Sequence, residues 1–437
     1  MKKLLLYASI GVWGGLLFGF DVAIITGAGP FVTRTFGLNS IEEGWAYSSL
    51  LFGCIAGAAV AGRLSDTWGR KSILIVVALL FAITSVGSAL ACNLTSFIVA
   101  RVFGGLAVGA VSVVAPIFIS EVSPSQYRGR LVSAYQLFIV AGILVSYFIS
   151  YLLYDIGANN WRWMFAFGAL PPVFFLFMLL SVSETPRFLY LKGQKEKALE
   201  VLKHINGPEL AALEIEKMEK SIKREKPDLR IRKDHSIRRL LMIGFVMALL
   251  LQMSGINIII NYAPKLFLSS GWDLNAGLFA TFGIGLVNFI ATGISILIID
   301  KYGRRCMYIV GSAGMTVTLA GIAMVGCMSV FSGMVALILI VLFCFFFATF
   351  IGPVFWTYLS EIFPNRVRGT AMSIPTFTQW IFNALIVLLF PLMLVTFDMS
   401  VIFGLLAVFA FFQFLFSVKY MKETKGKSLE EIENLWN

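Results

Sequence analysis

The chain has 437 residues, 58% of them hydrophobic and only 14% charged, with a formal net charge of +11. Soluble domains carry about 25% charged residues, so this composition excludes a soluble globular protein and defines a membrane protein. The basic excess does not mark a nucleic-acid binder. Of the 35 Lys and Arg, all but Arg34, Arg162, Lys265 and Arg101 gather on one side of the predicted membrane. That positive-inside asymmetry places both termini in the cytoplasm.

Membrane-length apolar runs lie near 5–27, 44–62, 72–92, 97–119, 131–154, 162–183, 239–268, 274–299, 306–328, 332–359, 370–395 and 400–420. The first is too long for a signal-peptide core and carries Trp13 and Asp21, so it reads as a retained helix. The polar segment 184–238 divides the runs six and six. The expected fold is an all-α membrane protein of twelve transmembrane helices. Its parts are an N-terminal half (1–183), a cytoplasmic helical linker (184–238), a C-terminal half (239–420) and a cytoplasmic tail (421–437). Within the linker, Gln194 to Glu225 carries leucines and isoleucines at helical spacing among Lys and Glu, which predicts short amphipathic helices interrupted by Pro208 and Pro227. The five cysteines are scattered without a CxxC, as small apolar packing residues.

Asp21 lies in the first run and Arg101 in the fourth. An isolated charge in hydrocarbon costs roughly 2.5–3.5 kcal/mol, so intramembrane charges are usually functional and paired. Counted from Leu5, Asp21 lies about 24 Å along a helix, in the far third of a core about 30 Å thick. The fourth run returns from Phe97, which leaves Arg101 about 6 Å below the same far surface. The two groups can therefore meet, and a buried acid beside a buried base suits protonation-coupled transport.

The halves repeat. Glu121-Val-Ser-Pro124-Ser-Gln-Tyr-Arg128-Gly129 returns as Glu361-Ile-Phe-Pro364-Asn-Arg-Val-Arg368-Gly369. Asp66-Thr-Trp-Gly69-Arg70-Lys71 returns as Asp300-Lys-Tyr-Gly303-Arg304-Arg305. Parallel six-helix repeats belong to alternating-access carriers. Arginine forks can clamp carboxylates, so Arg63, Asp66, Arg70, Glu121, Arg128, Arg304, Glu361 and Arg368 form a candidate cytoplasmic gate that ties the halves together in one state.

Gly62-Arg63-Leu-Ser-Asp66-Thr-Trp-Gly69-Arg70-Lys71 resembles the signature loop of the major facilitator superfamily. Further segments resemble its sugar porter family, most of all the bacterial sugar–proton symporters. They are Glu184-Thr-Pro186-Arg187, Gln252-Met-Ser-Gly255-Ile-Asn257, Gly352-Pro353-Val-Phe-Trp356, Ser360-Glu361-Ile-Phe-Pro364 and Glu423-Thr-Lys-Gly426-Lys-Ser-Leu-Glu430-Glu431. The resemblance implies a monosaccharide site between the halves, formed by Phe18, Gln136, Gln252, Asn257, Asn288, Trp356, Gln379 and Trp380. Leu251 and Asn261 stand beside it where the family often has glutamine and tyrosine, which leaves open whether xylose, glucose, galactose, arabinose or another sugar is preferred. Lys422 stands where the family's C-terminal motif commonly has proline.

These residue types suit a neutral sugar. Amides both donate to and accept from hydroxyls, and indoles cover the apolar ring faces. On an unbroken helix Gln252 and Asn257 would lie about 140° apart. For both to face one ligand, the helix must break near Ser254-Gly255. Gly352-Pro353 predicts a similar break before Trp356.

The resemblance also matches Asp21 to the aspartate of proton symporters. The expected activity is proton-coupled monosaccharide import, with the proton as coupling ion, membrane lipid as surroundings, no other cofactor and no metal. A monomer in a bacterial inner membrane is the expected setting. A sugar uniporter and a non-transporting sugar sensor are the rival readings. No metal or nucleophile constellation lies among the runs, and both histidines, His204 and His235, fall in the linker, so no enzyme is expected.

Overall fold

A computed structural model of the protein describes residues 2–123, 125–207, 211, 215, 235–269, 271–327, 333–363, 368–427 and 431–432. Among the described residues, twelve helical stretches are long and apolar enough to cross a membrane, and the chain is a multi-pass membrane protein. In the first half these are α1 (Lys2–Phe36), α2 (Ser40–Trp68), α3 (Arg70–Ala89), α4 (Leu94–Val122), α5 (Ser125–Leu153) and the pair α6 (Asn160–Phe167) and α7 (Leu170–Leu180). Two short helices follow, α8 (Pro186–Leu191) and α9 (Lys195–Asn206). The remaining spans are α10 (His235–Met253) with α11 (Ile256–Ser269), α12 (Leu274–Tyr302) and α13 (Arg304–Cys327). They continue with α14 (Gly333–Phe346) joined to α15 (Gly352–Ile362), then α16 (Arg368–Thr396) and α17 (Met399–Tyr420).

The described chain forms two compact units. One comprises Met1–Ile24, Ser49–Ile149 and Asp155–Lys226; the other comprises Ile25–Ser48, Ser150–Tyr154 and Pro227–Asn437. Inside the first unit, α2 and α4 approach through paired small residues. A side chain on Gly53 or Gly57 of α2 would fall on the carbonyls of Val102 and Leu106, and one on Gly105 or Gly109 of α4 on those of Leu50 and Cys54. Lipid gives little hydrophobic drive between helices, so backbone contact of this kind replaces it. It also fixes the rotation of α4, and with it where Arg101 points.

Within the linker, α9 buries Ala198, Val201, Leu202 and Ile205 at helical spacing. Pro208, Pro227 and, apart from residues 211 and 215, the remainder of the predicted linker helices lie outside the described residues.

The seventh span breaks as the motif requires. α10 ends at Met253, Gly255 takes φ 86°, and α11 starts at Ile256. Glycine alone tolerates that backbone cheaply. The tenth span departs from expectation. Instead of breaking at Gly352-Pro353, it widens into one π-helical turn at Phe347–Ile351 and runs on as α15. Proline lacks an N–H and crowds the carbonyl four residues back, and a wider turn accommodates both defects without ending the helix.

Candidate functional site

In the first unit Asp21 and Arg101 form a buried ion pair. Arg101 Nη1 lies 2.6 Å from Asp21 Oδ1, and Nη2 donates to the Asp21 carbonyl at 2.9 Å. The two side chains are 9% and 2% exposed, so water screens them little. Arg101 Cζ also sits 5.3 Å from the centroid of the Phe165 ring, a cation–π contact in a dry setting. The pair is incompletely satisfied: Asp21 Oδ2 and Arg101 Nε make no hydrogen bond among the described residues. One carboxylate oxygen is thus bound by the arginine and the other is left without a hydrogen bond. Phe18, one turn before Asp21, is half-buried on α1, and Gln136 is half-buried on α5.

The second unit holds the other sugar-site candidates. Breaking the span at Gly255 lets Asn257 Nδ2 donate to Gln252 Oε1, two side chains that a continuous helix would keep apart. Asn261 Nδ2 donates to the Asn257 carbonyl at 2.8 Å. Gln252 and Asn261 are 1% and 2% exposed and Asn257 is half-buried, so the three residues form a polar chain across the break. Asn288 is buried on α12, Trp356 is half-buried on α15 with Phe355 beside it, and Trp380 is buried on α16. Gln379 Oε1 accepts no hydrogen bond among the described residues, nor does Asn383 Oδ1 one helical turn later. Asn383 was not singled out from sequence, although its spacing from Gln379 puts both on one helix face. Buried orphan amide oxygens are costly unless a ligand satisfies them.

The gate candidates form two matching clusters, each within one unit. Arg70 binds Glu121 Oε1 through Nε at 3.2 Å, Asp66 at 2.8 Å and the Ser65 carbonyl at 2.9 Å. Thr185 Oγ1 donates to Glu121 Oε2 at 2.6 Å, while Glu184 accepts the Lys71 backbone N–H at 3.0 Å. In the second unit Arg304 binds Glu361 Oε1 at 2.9 Å and Asp300 at 3.0 Å. Thr424 Oγ1 donates to Glu361 Oε2 at 2.6 Å, and Glu423 accepts the Arg304 and Arg305 N–H groups at 2.9 and 3.1 Å. Gly69 (φ 100°) and Gly303 (φ 87°) expose those N–H groups to the two glutamates. Both arginines thus clamp acids of their own half. Arg63 is exposed outside its cluster, and the side chains of Arg128 and Arg368 lie outside the described residues.

Sequence reasoning missed that Glu184-Thr185 and Glu423-Thr424 are a third repeated pair. The signal was available: each threonine follows its glutamate partner at nearly equal separation, 64 residues from Glu121 and 63 from Glu361.

Twelve spans, a repeated loop and turn apparatus, a helix broken among amides and a buried acid–base pair define a membrane carrier rather than an enzyme. The family model described as "Sugar (and other) transporter" matches residues 7–436, and the chain belongs to that family. It is 39% identical over 430 residues to the arabinose-proton symporter of Bacillus subtilis, covering 97% of this chain and 93% of the relative. It is 34% identical to the D-xylose transporter of Levilactobacillus brevis, with coverage of 97% and 93%. Among solved structures, an inward-open conformation of the xylose transporter XylE from E. coli matches with a TM-score of 0.89 at 31% identity, covering 99% and 100% of the two chains. The fold is that of the major facilitator superfamily.

Proposed function

We propose that this chain is a proton-coupled symporter that imports a monosaccharide, a pentose or hexose, by alternating access through halves 1–183 and 239–420. One observation carries the reading: a buried carboxylate shares one oxygen with an arginine and keeps the other unbound. A proton on Asp21 removes the charge that Arg101 holds, which loosens α1 from α4 and permits the loaded carrier to change state. Release of sugar and proton inside lets the pair re-form for the return. One charge moving through ~150 mV supplies roughly 3.5 kcal/mol, enough for about 300-fold accumulation.

The buried amides Gln252 and Asn261, with half-buried Asn257 between them, support a polyhydroxylated, uncharged substrate, because each can donate to and accept from sugar hydroxyls. Gln136, Asn288, Gln379 and the indoles of Trp356 and Trp380 extend the same chemistry, and Phe18 adds apolar surface. The relatives that carry arabinose and xylose favour a sugar of this class. The Arg70 and Arg304 clusters serve as gate elements. Clustered basic loops favour cytoplasmic termini in a bacterial inner membrane, and we take the working unit as a monomer in lipid.

Asp21→Asn tests the reading. In vesicles with an imposed proton gradient, the variant loses concentrative uptake but retains sugar counterflow. Concentrative uptake surviving the change would refute proton coupling at Asp21 and leave facilitated diffusion or another coupling group.

A further inference from the structure

The proposed mechanism leaves one chemical need unmet: the hydrogen of a protonated Asp21 must be received somewhere. Oδ1 faces Arg101, which has only donors to offer, so the proton belongs on Oδ2. A buried carboxylic acid whose O–H has no acceptor is costly.

Oδ2 faces Gly104 on α4 and Thr84 on α3. A Cβ built on Gly104 would stand 3.1 Å from Asp21 Oδ2 and 3.3 Å from Thr84 Oγ1, so both oxygens front the same point, left open because residue 104 has no side chain. Thr84 is 7% exposed. Its single hydroxyl hydrogen is committed to the Leu80 carbonyl at 2.7 Å, which leaves its lone pairs as the polar feature available to a neighbour. Arg101 on α4 faces Asp21, and the Cys54 thiol on α2 lies within electrostatic reach of both. From α3 the facing group is the neutral Thr84 hydroxyl. An oxygen that can only accept, beside an unbound carboxylate oxygen, suits the acid form and gives the anion nothing.

We propose that Thr84 is the positioning residue for proton uptake: its Oγ1 accepts the hydrogen bond of the protonated Asp21 carboxyl across the space over Gly104. Hydronium from the aqueous side gives its proton to Oδ2 and leaves as water. The neutral carboxyl then turns from Arg101 toward Thr84, so one small rotation both breaks the α1–α4 ion pair and creates an α1–α3 hydrogen bond. The inference rests on the symport reading and adds to it the group that stabilises the loaded state.

The test compares sugar uptake against external pH, together with sugar-induced alkalinisation of the medium, for the full-length protein in vesicles. Thr84→Val keeps the shape and removes the acceptor. It should shift the uptake profile about one pH unit toward acid, because a lost hydrogen bond to the neutral form must be offset by more protons. Counterflow at the acid end stays intact, and Thr84→Ser restores the wild-type profile. Gly104→Ala, which sets a methyl between the two oxygens, shifts the profile the same way. Should Thr84→Val fail to reach the membrane, Thr84→Ala carries the same test. A merely structural role would lower uptake equally at every pH. An unmoved profile in a coupled, folded variant overturns the inference alone. Absence of sugar-induced alkalinisation in the wild-type protein overturns the symport reading along with it.

Discussion

Lys265 Nζ lies 2.5 Å from Glu43 Oε2, joining the first turn of α2 to the broken seventh span within the second unit. Glu43 is only 7% exposed at its side chain and Lys265 is 32% exposed. Around them Tyr47 stacks on Tyr262 with centroids 4.3 Å apart, and Thr26 Oγ1 donates to the Ile260 carbonyl at 2.7 Å. α1 and α2 are therefore tied to α11 by charge, ring stacking and a side-chain hydrogen bond to the main chain together.

Lys265→Met would leave the Glu43 carboxylate buried without its counter-charge. Because the lysine is partly solvated, the loss should be about 1–3 kcal/mol, below the full penalty for breaking a buried pair. The detergent-solubilised protein should melt several degrees lower, and adding Glu43→Gln should recover most of the difference. A double variant as unstable as Lys265→Met would show that packing, not charge, holds this junction.

Arg101 carries a larger burden than Lys265, since both members of its pair are dry. Arg101→Leu removes two hydrogen bonds to Asp21 and the contact with Phe165. The expected loss is about 3–5 kcal/mol at neutral pH. Asp21→Asn in the same chain removes the uncompensated anion and should restore thermal stability without restoring sugar accumulation. Equal melting temperatures for Arg101→Leu alone and for the pair would contradict the electrostatic account.

Gly255 tests the broken helix. An alanine there would hold φ 86° at a cost of about 1–2 kcal/mol, and its methyl would come 2.6 Å from Leu406 Cδ1. Relief requires the break to close or shift, which rotates Asn257 away from Gln252. The apparent KM for sugar should rise about tenfold, the equivalent of about 1.4 kcal/mol, with less effect on the maximal rate. An unchanged KM would separate the break from sugar binding.

Much of this arrangement is legible in the chain because the membrane restricts what backbone can do. Apolar length locates the spans, and helical rise alone brings Asp21 and Arg101 to one depth. The 140° separation of Gln252 and Asn257 demands a break where the structure has Gly255. Other features are legible only in part. The spacing of Gly53 with Gly57 and of Gly105 with Gly109 marks two small-residue faces, but not that they meet each other. Local sequence at Gly352-Pro353 signals a disturbed helix, yet tertiary packing decides between a break and a π-turn. Thr84 is invisible from sequence as a neighbour of Asp21, since α1, α3 and α4 converge there only after folding.

The repeated clusters invite a ranked comparison. Glu121 and Glu361 each accept from an arginine and a threonine, but Glu121 is 7% exposed and Glu361 20%. Their arginines differ in the same sense, Arg70 at 6% and Arg304 at 12%. Replacing either glutamate by glutamine leaves the arginine with one carboxylate, Asp66 or Asp300, and both of these are solvated, at 68% and 82% exposure. Solvated partners compensate poorly, so the drier arginine should suffer more. Glu121→Gln is expected to cost about 2–3 kcal/mol and Glu361→Gln about 1–2 kcal/mol, within the range for charged groups losing a partner. Thr185→Val and Thr424→Val, each losing one short hydrogen bond to a carboxylate, should cost about 1–2 kcal/mol apiece. Thermal melts of the four variants rank them directly, and a larger loss for Glu361→Gln than for Glu121→Gln would show that burial does not set the strength of these clamps.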